Sequence, residues 1–98
     1  MNILKNAKGT ALTLAIEGRL DTTTAPKLEA VVKNELNDVK ELTFDLSDLE
    51  YISSAGLRVL LSAQKIISKQ GEMTVTGCSD DIMEIFDVTG FSDILNIR

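Results

Sequence analysis

The sequence contains no histidine, no tryptophan and one cysteine among its 98 residues. Without histidine, the chain lacks the usual general base, the commonest metal ligand and every Ser–His–Asp triad. A single cysteine forms no internal disulfide and no paired-thiolate metal or redox site. These absences argue against an enzyme, and we expect no metal site and no cofactor.

Long apolar runs and an excess of positive charge are also missing. No stretch approaches the roughly 20 apolar residues of a membrane-spanning helix, and the first residues lack the apolar region of a signal peptide. We therefore expect no membrane insertion and a cytoplasmic location. The formal net charge of −5 repels phosphate backbones, and aromatic residues are only 4%, too few for stacking bases. Nucleic acid is not an expected partner.

What the sequence does contain is a regular series of short apolar patterns. Hydrophobic residues make up 44% and charged residues 26%, which is typical of one globular domain, here residues 1–98. Alternating or short apolar runs predict strands, and apolar residues three and four apart predict helices. The predicted strands are Asn2–Lys5, Leu12–Ile16, Leu42–Leu46, Met73–Val75 and Ile94–Ile97, and the predicted helices are Ala25–Leu36, Ser54 to near Gly71, and Ser79 to Gly90.

Turn and cap residues set the expected boundaries of these elements. Asn6–Gly9 predicts a hairpin turn after the first strand, and Gly18 is expected to end the second. Thr24 or Thr23 is the expected N-cap of the first helix. Gly71 suits the C′ position after the second helix, where a left-handed conformation is common.

The order of the elements predicts the fold class. Strands and helices alternate in the later part of the chain, which favours a largely parallel sheet. Parallel strands covered on both faces usually read as continuous apolar runs, whereas these strands alternate apolar and polar residues. We therefore expect an α/β fold in which a mixed four- to five-stranded sheet carries helices mainly on one face.

The rest of the chain is organised around the junction between the third predicted strand and the second helix. Ser53 and Ser54 stand just before the helix, where backbone N–H groups and the helix dipole favour negative charge. A serine hydroxyl at this position is well placed to carry a phosphate. Serine is also an ordinary N-cap residue, and Gly56 fits either close packing or close approach by a partner, so the residues alone leave both interpretations open.

Three segments carry a resemblance to the STAS domain, and in particular to bacterial anti-sigma factor antagonists. The central segment, DLSDLEYISSAGLRVL, resembles the family's signature, in which a serine precedes Ser/Thr/Ala–Gly–Leu at the start of a helix. The segment GRLDTTTAPKL resembles the Gly–x–Leu–Asp region before the first helix. The segment GEMTVTGCSDDIMEIFDVTGF resembles the final strand and helix, so the resemblance covers nearly the whole chain.

The resemblance implies a phosphorylation switch rather than catalysis. Such proteins bind an anti-sigma factor that is a serine kinase and so release a sigma factor. The kinase phosphorylates the antagonist and ends binding, and a metal-dependent serine phosphatase restores it. By position the phosphorylated residue is Ser54. The preceding residue is often Asp in the family and is Ser53 here, which makes Ser53 a second candidate acceptor.

The resemblance also implies a partner-binding face. Asp21 would lie near the partner, although a role in its own turn is equally compatible with the sequence, and Arg58 lies one helical turn after Ser54. Asp45 and Asp48 are interpreted as turn residues rather than as a metal pair. The expected partner-binding residues are Asp21, Thr22, Ser53, Ser54, Gly56, Leu57 and Arg58.

A second hypothesis keeps the family but changes the function. STAS domains also occur as subunits of sensor assemblies and beside lipid transporters. The chain would then have no phosphorylation switch, and Ser54 would serve as an N-cap or bind an anion.

Overall fold

Five strands and three α-helices make up most of the structure, a computed structural model that describes all residues from Met1 to Arg98. A short 3₁₀-helix, Phe91–Asp93, follows the last α-helix. The expected α/β class is confirmed. In chain order, the elements are β1 (Asn2–Lys8), β2 (Ala11–Leu20), α1 (Ala25–Glu35), β3 (Glu41–Asp45), β4 (Leu49–Ile52), α2 (Ser54–Ile67), β5 (Glu72–Thr76) and α3 (Asp80–Thr89).

The strands form one mixed sheet in the order β1-β2-β3-β5, with β4 paired to the end of β2. Strands β1 and β2 are antiparallel, and the other pairs are parallel. Leu14, Phe44 and Val75 lie side by side in register and are fully buried. Because side chains alternate across a strand, each strand presents one apolar face to the core.

The helices cover that apolar face of the sheet. Each helix contributes a buried apolar stripe, such as Leu28 and Val32 on α1 and Ile82 and Phe86 on α3. The core contains 24 buried residues, and none of the buried residues is polar or charged. No helix combines the length and the apolar character that a membrane crossing requires.

The predicted boundaries around β2 are wrong in two places. Strand β1 continues to Lys8, which pairs with Ala11, so the hairpin turn lies at Gly9 and Thr10 rather than at Asn6–Gly9. Gly18 does not end β2. It takes a φ of +89° at a shift in register, and the strand resumes to Leu20, where it pairs with β4, a strand that the sequence did not predict.

The predictions for Gly71 and for a last strand are also wrong. Helix α2 ends at Ile67 with Ser68 as its C-cap, and Gly71 lies beyond it without a positive φ. Gly71 is needed for a different reason, because a Cβ there would collide with the carbonyl oxygen of Lys40. Ile94–Ile97 forms no strand and contributes one isolated bridge to β5 through Ile97.

The predicted limits of α3 are confirmed. The Ser79 hydroxyl accepts a hydrogen bond from the Ile82 amide at 3.2 Å, which satisfies one of the free N–H groups at the start of the helix. Gly90 follows the helix in the left-handed conformation, with a φ of +81°.

Candidate functional site

The candidate site lies where parallel strands β2 and β4 end side by side. Arg19 pairs with Tyr51 and Leu20 with Ile52, and the Ser53 amide donates to the Leu20 carbonyl at 2.9 Å. Both strands then lead into helices. The fold therefore brings the loop after β2, with Asp21 and Thr22, next to the start of α2, with Ser53 and Ser54.

The two serines at this junction differ in accessibility. Ser53 is the N-cap of α2 in an extended conformation, and its Oγ is buried without a hydrogen-bond partner. Ser54 is the first residue of α2 and is exposed. Of the two serines, only Ser54 is therefore exposed to solvent.

The start of α2 is also free of negative charge. The Ser53 side chain makes no capping hydrogen bond, and the first turn contains no acidic residue. The first N–H groups of a helix have no partner within the helix, and they carry its partial positive charge. An anion attached to Ser54 would therefore lie in a favourable field.

Asp21 organises the loop that faces Ser54. Its Oδ1 accepts hydrogen bonds from the amide of Thr23 at 3.0 Å and from the hydroxyl of Thr23 at 2.7 Å, with a longer one from the Thr24 amide at 3.3 Å. The Thr23 hydroxyl is the main reason that the pKa of Asp21 lies below its ordinary value. Thr24 is the N-cap of α1 by position but makes no side-chain cap. Its hydroxyl donates to the Arg19 carbonyl at 2.9 Å instead, and Asp21 binds amides of the turn that precedes the helix.

Arg19 and Tyr51 extend the exposed rim of the site, and sequence analysis did not find them. The Arg19 guanidinium lies 4.4 Å from the centroid of the Tyr51 ring, and its Nε is 3.8 Å from Oδ2 of Asp21. Tyrosine and arginine are enriched among residues that dominate binding energy in interfaces. Their pairing depends on β4, so no local pattern in the sequence indicates it.

A groove between α1 and α2 opens beside Ser54. Arg58 is exposed and takes part in none of the three ion pairs of the structure. The role of Arg58 in partner binding stays a prediction, with which its exposure on the groove is compatible. The residues that line the groove are Thr22, Ala25, Pro26, Glu29, Ala55, Arg58, Val59 and Ser62.

Gly56 and Leu57, which the sequence analysis placed among the expected partner-binding residues, are buried in the core. Leu57 is only 6% exposed. A Cβ on Gly56 would lie 2.7 Å from Leu20 Cγ and 2.8 Å from Ile52 Cγ1. The absence of a side chain at Gly56 therefore lets α2 pack closely on β2 and β4.

Replacing Gly56 with alanine is expected to lower the free energy of unfolding by about 1–3 kcal/mol, because the added methyl group overpacks Leu20 and Ile52. The exposed Ser62→Ala on the same helix is the control and should change it by less than about 0.5 kcal/mol. Urea unfolding followed by circular dichroism measures both. An unchanged stability for Gly56→Ala would mean that the junction packs less tightly than the structure indicates.

The carboxylate of Asp45 is held by its neighbour Ser47 in the turn after β3. Its Oδ1 accepts hydrogen bonds from the Ser47 amide at 3.0 Å and the Ser47 hydroxyl at 2.6 Å, and the latter is the main cause of its lowered pKa. No group of three or more His, Cys, Asp or Glu residues is placed to hold a metal ion. The interpretation of Asp45 as a turn residue agrees with these contacts.

Several known proteins are similar to this chain. The family model described as "STAS domain" matches residues 2–98. The "Anti-sigma-B factor antagonist" of Listeria monocytogenes is 37% identical over 87 residues, which cover 85% of this chain and 75% of the relative. An anti-sigma factor antagonist from Mycobacterium paratuberculosis has a similar structure, with a TM-score of 0.89 at 22% identity, over 99% of this chain and 84% of that one. The structure of the Bacillus protein SpoIIAA in its phosphorylated form matches with a TM-score of 0.77 at 13% identity, over 99% of this chain and 91% of that one.

Proposed function

Because the chain belongs to the STAS domain family, we propose that it is an anti-sigma factor antagonist that binds an anti-sigma factor serine kinase and is switched off by phosphorylation of Ser54. The observation that carries the proposal is the contrast between the two serines. The Ser54 hydroxyl is exposed at an uncapped helix start, whereas the Ser53 hydroxyl is buried.

The similar proteins support both parts of the proposal. The relative from Listeria monocytogenes is named as an anti-sigma-B factor antagonist and is 37% identical, close enough for a shared class of partner. The Bacillus protein SpoIIAA has a phosphorylated form with the same fold, so such a scaffold accommodates a phosphoryl group. Binding to the kinase would free the sigma factor that the kinase otherwise holds.

In this proposal the chain is a substrate and not a catalyst. Ser54 Oγ attacks the γ-phosphorus of ATP in the partner kinase, the bond to the oxygen that bridges to the β-phosphate breaks, and ADP leaves. The hydroxyl proton passes to a base of the kinase, which also supplies the magnesium ion, since this chain has no histidine and no cluster of metal ligands. A serine phosphatase later hydrolyses the phosphoserine and restores binding.

The switch would act on the interface rather than on the fold. A phosphoserine carries about −1.5 to −2 charges at neutral pH. At the start of α2 the fold tolerates this charge because of the helix dipole. In the complex the same dianion must be desolvated or must face like charges, so affinity falls.

Incubation with the cognate anti-sigma kinase and ATP should add one phosphoryl group to the wild-type chain, as measured by intact-mass spectrometry. Ser54→Ala should gain none. Ser53→Ala is the matched control. It should still gain one phosphoryl group, because the hydroxyl that it lacks is buried in the wild type. Modification of Ser54→Ala would assign the acceptor elsewhere. If the kinase does not modify the wild-type chain, the result favours the alternative, a STAS subunit of a sensor or lipid-transport assembly without a switch.

A further inference from the structure

Arg58 is the charged residue of α2 that lies nearest to Ser54 along the helix. The two residues are four apart on α2, so their side chains lie on the same face of the helix, one turn from each other. Both are exposed, and Arg58 is the one charged residue among residues 54–61. An acidic group that precedes a basic group by four residues is the more favourable order on a helix.

We propose that Arg58 is the built-in counter-ion of phosphorylated Ser54. In the unmodified chain, Arg58 is among the residues that line the groove between α1 and α2, and it has no ion-pair partner. After phosphorylation it turns towards the helix start and donates to the phosphate oxygens. This inference rests on the proposed function, because it concerns the same phosphorylated serine.

The other charged groups around the site already have contacts of their own. Asp21 already accepts hydrogen bonds from Thr23 and Thr24 and lies near Arg19, whose guanidinium stacks on Tyr51. Glu29 lines the same groove from α1 but forms its ion pair with Lys33 at 3.0 Å. A new dianion on Ser54 would therefore meet Arg58 as the nearest cation of its own helix.

The chemistry of arginine suits this partner. The planar guanidinium presents several N–H donors in a fixed fork that matches two oxygens of a phosphate. A lysine at the same position would offer only a point charge. Phosphorylation would thus change the binding face twice: it adds an anion at Ser54 and withdraws the cation that the groove presents to the partner.

The test uses phosphoserine incorporated at position 54 during translation, so it does not require the kinase. In ³¹P NMR titrations, the pKa for the second ionisation of the phosphate should lie about 0.5 unit lower in the wild-type background than in Arg58→Gln, because the nearby cation favours the dianion. Arg58→Lys should restore part of the shift. Lys65→Gln, on the same helix but remote from Ser54, is the control and should leave the pKa unchanged.

Equal phosphate pKa values in the wild type and Arg58→Gln would overturn the counter-ion. The proposal would also fail if Lys65→Gln shifted the phosphate pKa as much as Arg58→Gln does. That result would show that the overall charge of the protein, and not a specific ion pair, sets the pKa. The proposed function fails separately, when the kinase does not modify Ser54. The two failures are distinguishable because the titration uses an installed phosphoserine, whereas the mass measurement uses the kinase and ATP.

Discussion

Replacing Ser54 with aspartate is expected to weaken binding to the anti-sigma kinase about a hundredfold, which corresponds to about 3 kcal/mol. The reason is a permanent negative charge at the centre of the proposed interface, where it must lose water or face like charges of the partner. The substitution should leave the fold intact, because Ser54 is exposed and an acidic residue suits the first turn of a helix. Titration calorimetry with the purified kinase measures the affinity, and thermal unfolding checks the fold.

Two further substitutions separate charge from shape at Ser54. Ser54→Asn has nearly the size of aspartate without its charge, and Ser54→Ala removes the hydroxyl. Both should bind the kinase with nearly the wild-type affinity. If Ser54→Asn binds as poorly as Ser54→Asp, steric exclusion and not charge ends the complex. If Ser54→Asp binds as tightly as the wild type, the electrostatic switch is wrong.

The sheet and its core could be predicted from the sequence because their signal is local and repeated. Leu42 and Phe44 alternate with Thr43 and Asp45, and this period of two is enough to give the strand and its buried face. Apolar residues three and four apart predict the helices in the same way. The alternation also indicated correctly that the helices pack mainly on one face of the sheet.

The missed features depend on contacts between distant segments. Strand β4 is only four residues long, with exposed residues at its two central positions, and it forms because β2 continues past the bulge at Gly18. The stacking of Arg19 on Tyr51 follows from that pairing. No spacing within either segment could have indicated it.

The orientation of the two serines shows the same limit within the candidate site. The family resemblance assigned the phosphate to Ser54 and kept Ser53 as a second candidate, but the residues at the helix start did not themselves show which hydroxyl faces outward. The answer depends on how α2 packs on the sheet, where Gly56 lies close to Leu20 and Ile52. Helix periodicity gives the apolar face, whereas the exposure of one hydroxyl at the first residue depends on how closely the helix approaches the sheet.

A glycine beside the Asp45–Ser47 turn gives the largest expected effect on stability. Replacing Gly77 with alanine should lower the free energy of unfolding by about 2–5 kcal/mol. Gly77 has a φ of +73°, which strains any residue with a Cβ. That Cβ would also collide with Ser47 Oγ and would lie 2.9 Å from the Ser47 amide nitrogen and 3.0 Å from Asp45 Oδ1. Urea unfolding measures the loss.

Gly9→Ala is the control that separates the two costs of Gly77→Ala. Gly9 has a similar φ of +62°, but a Cβ there would meet open space, so its substitution should cost only the backbone term of about 1–2 kcal/mol. The excess loss in Gly77→Ala then measures the collision with the Asp45–Ser47 turn. Equal losses of stability in the two variants would show that this turn moves aside at no cost in free energy. Because the turn leads directly from β3 into β4, and β4 leads into Ser53 and Ser54, a large excess would show that the chain just before the serine junction is rigidly packed against Gly77.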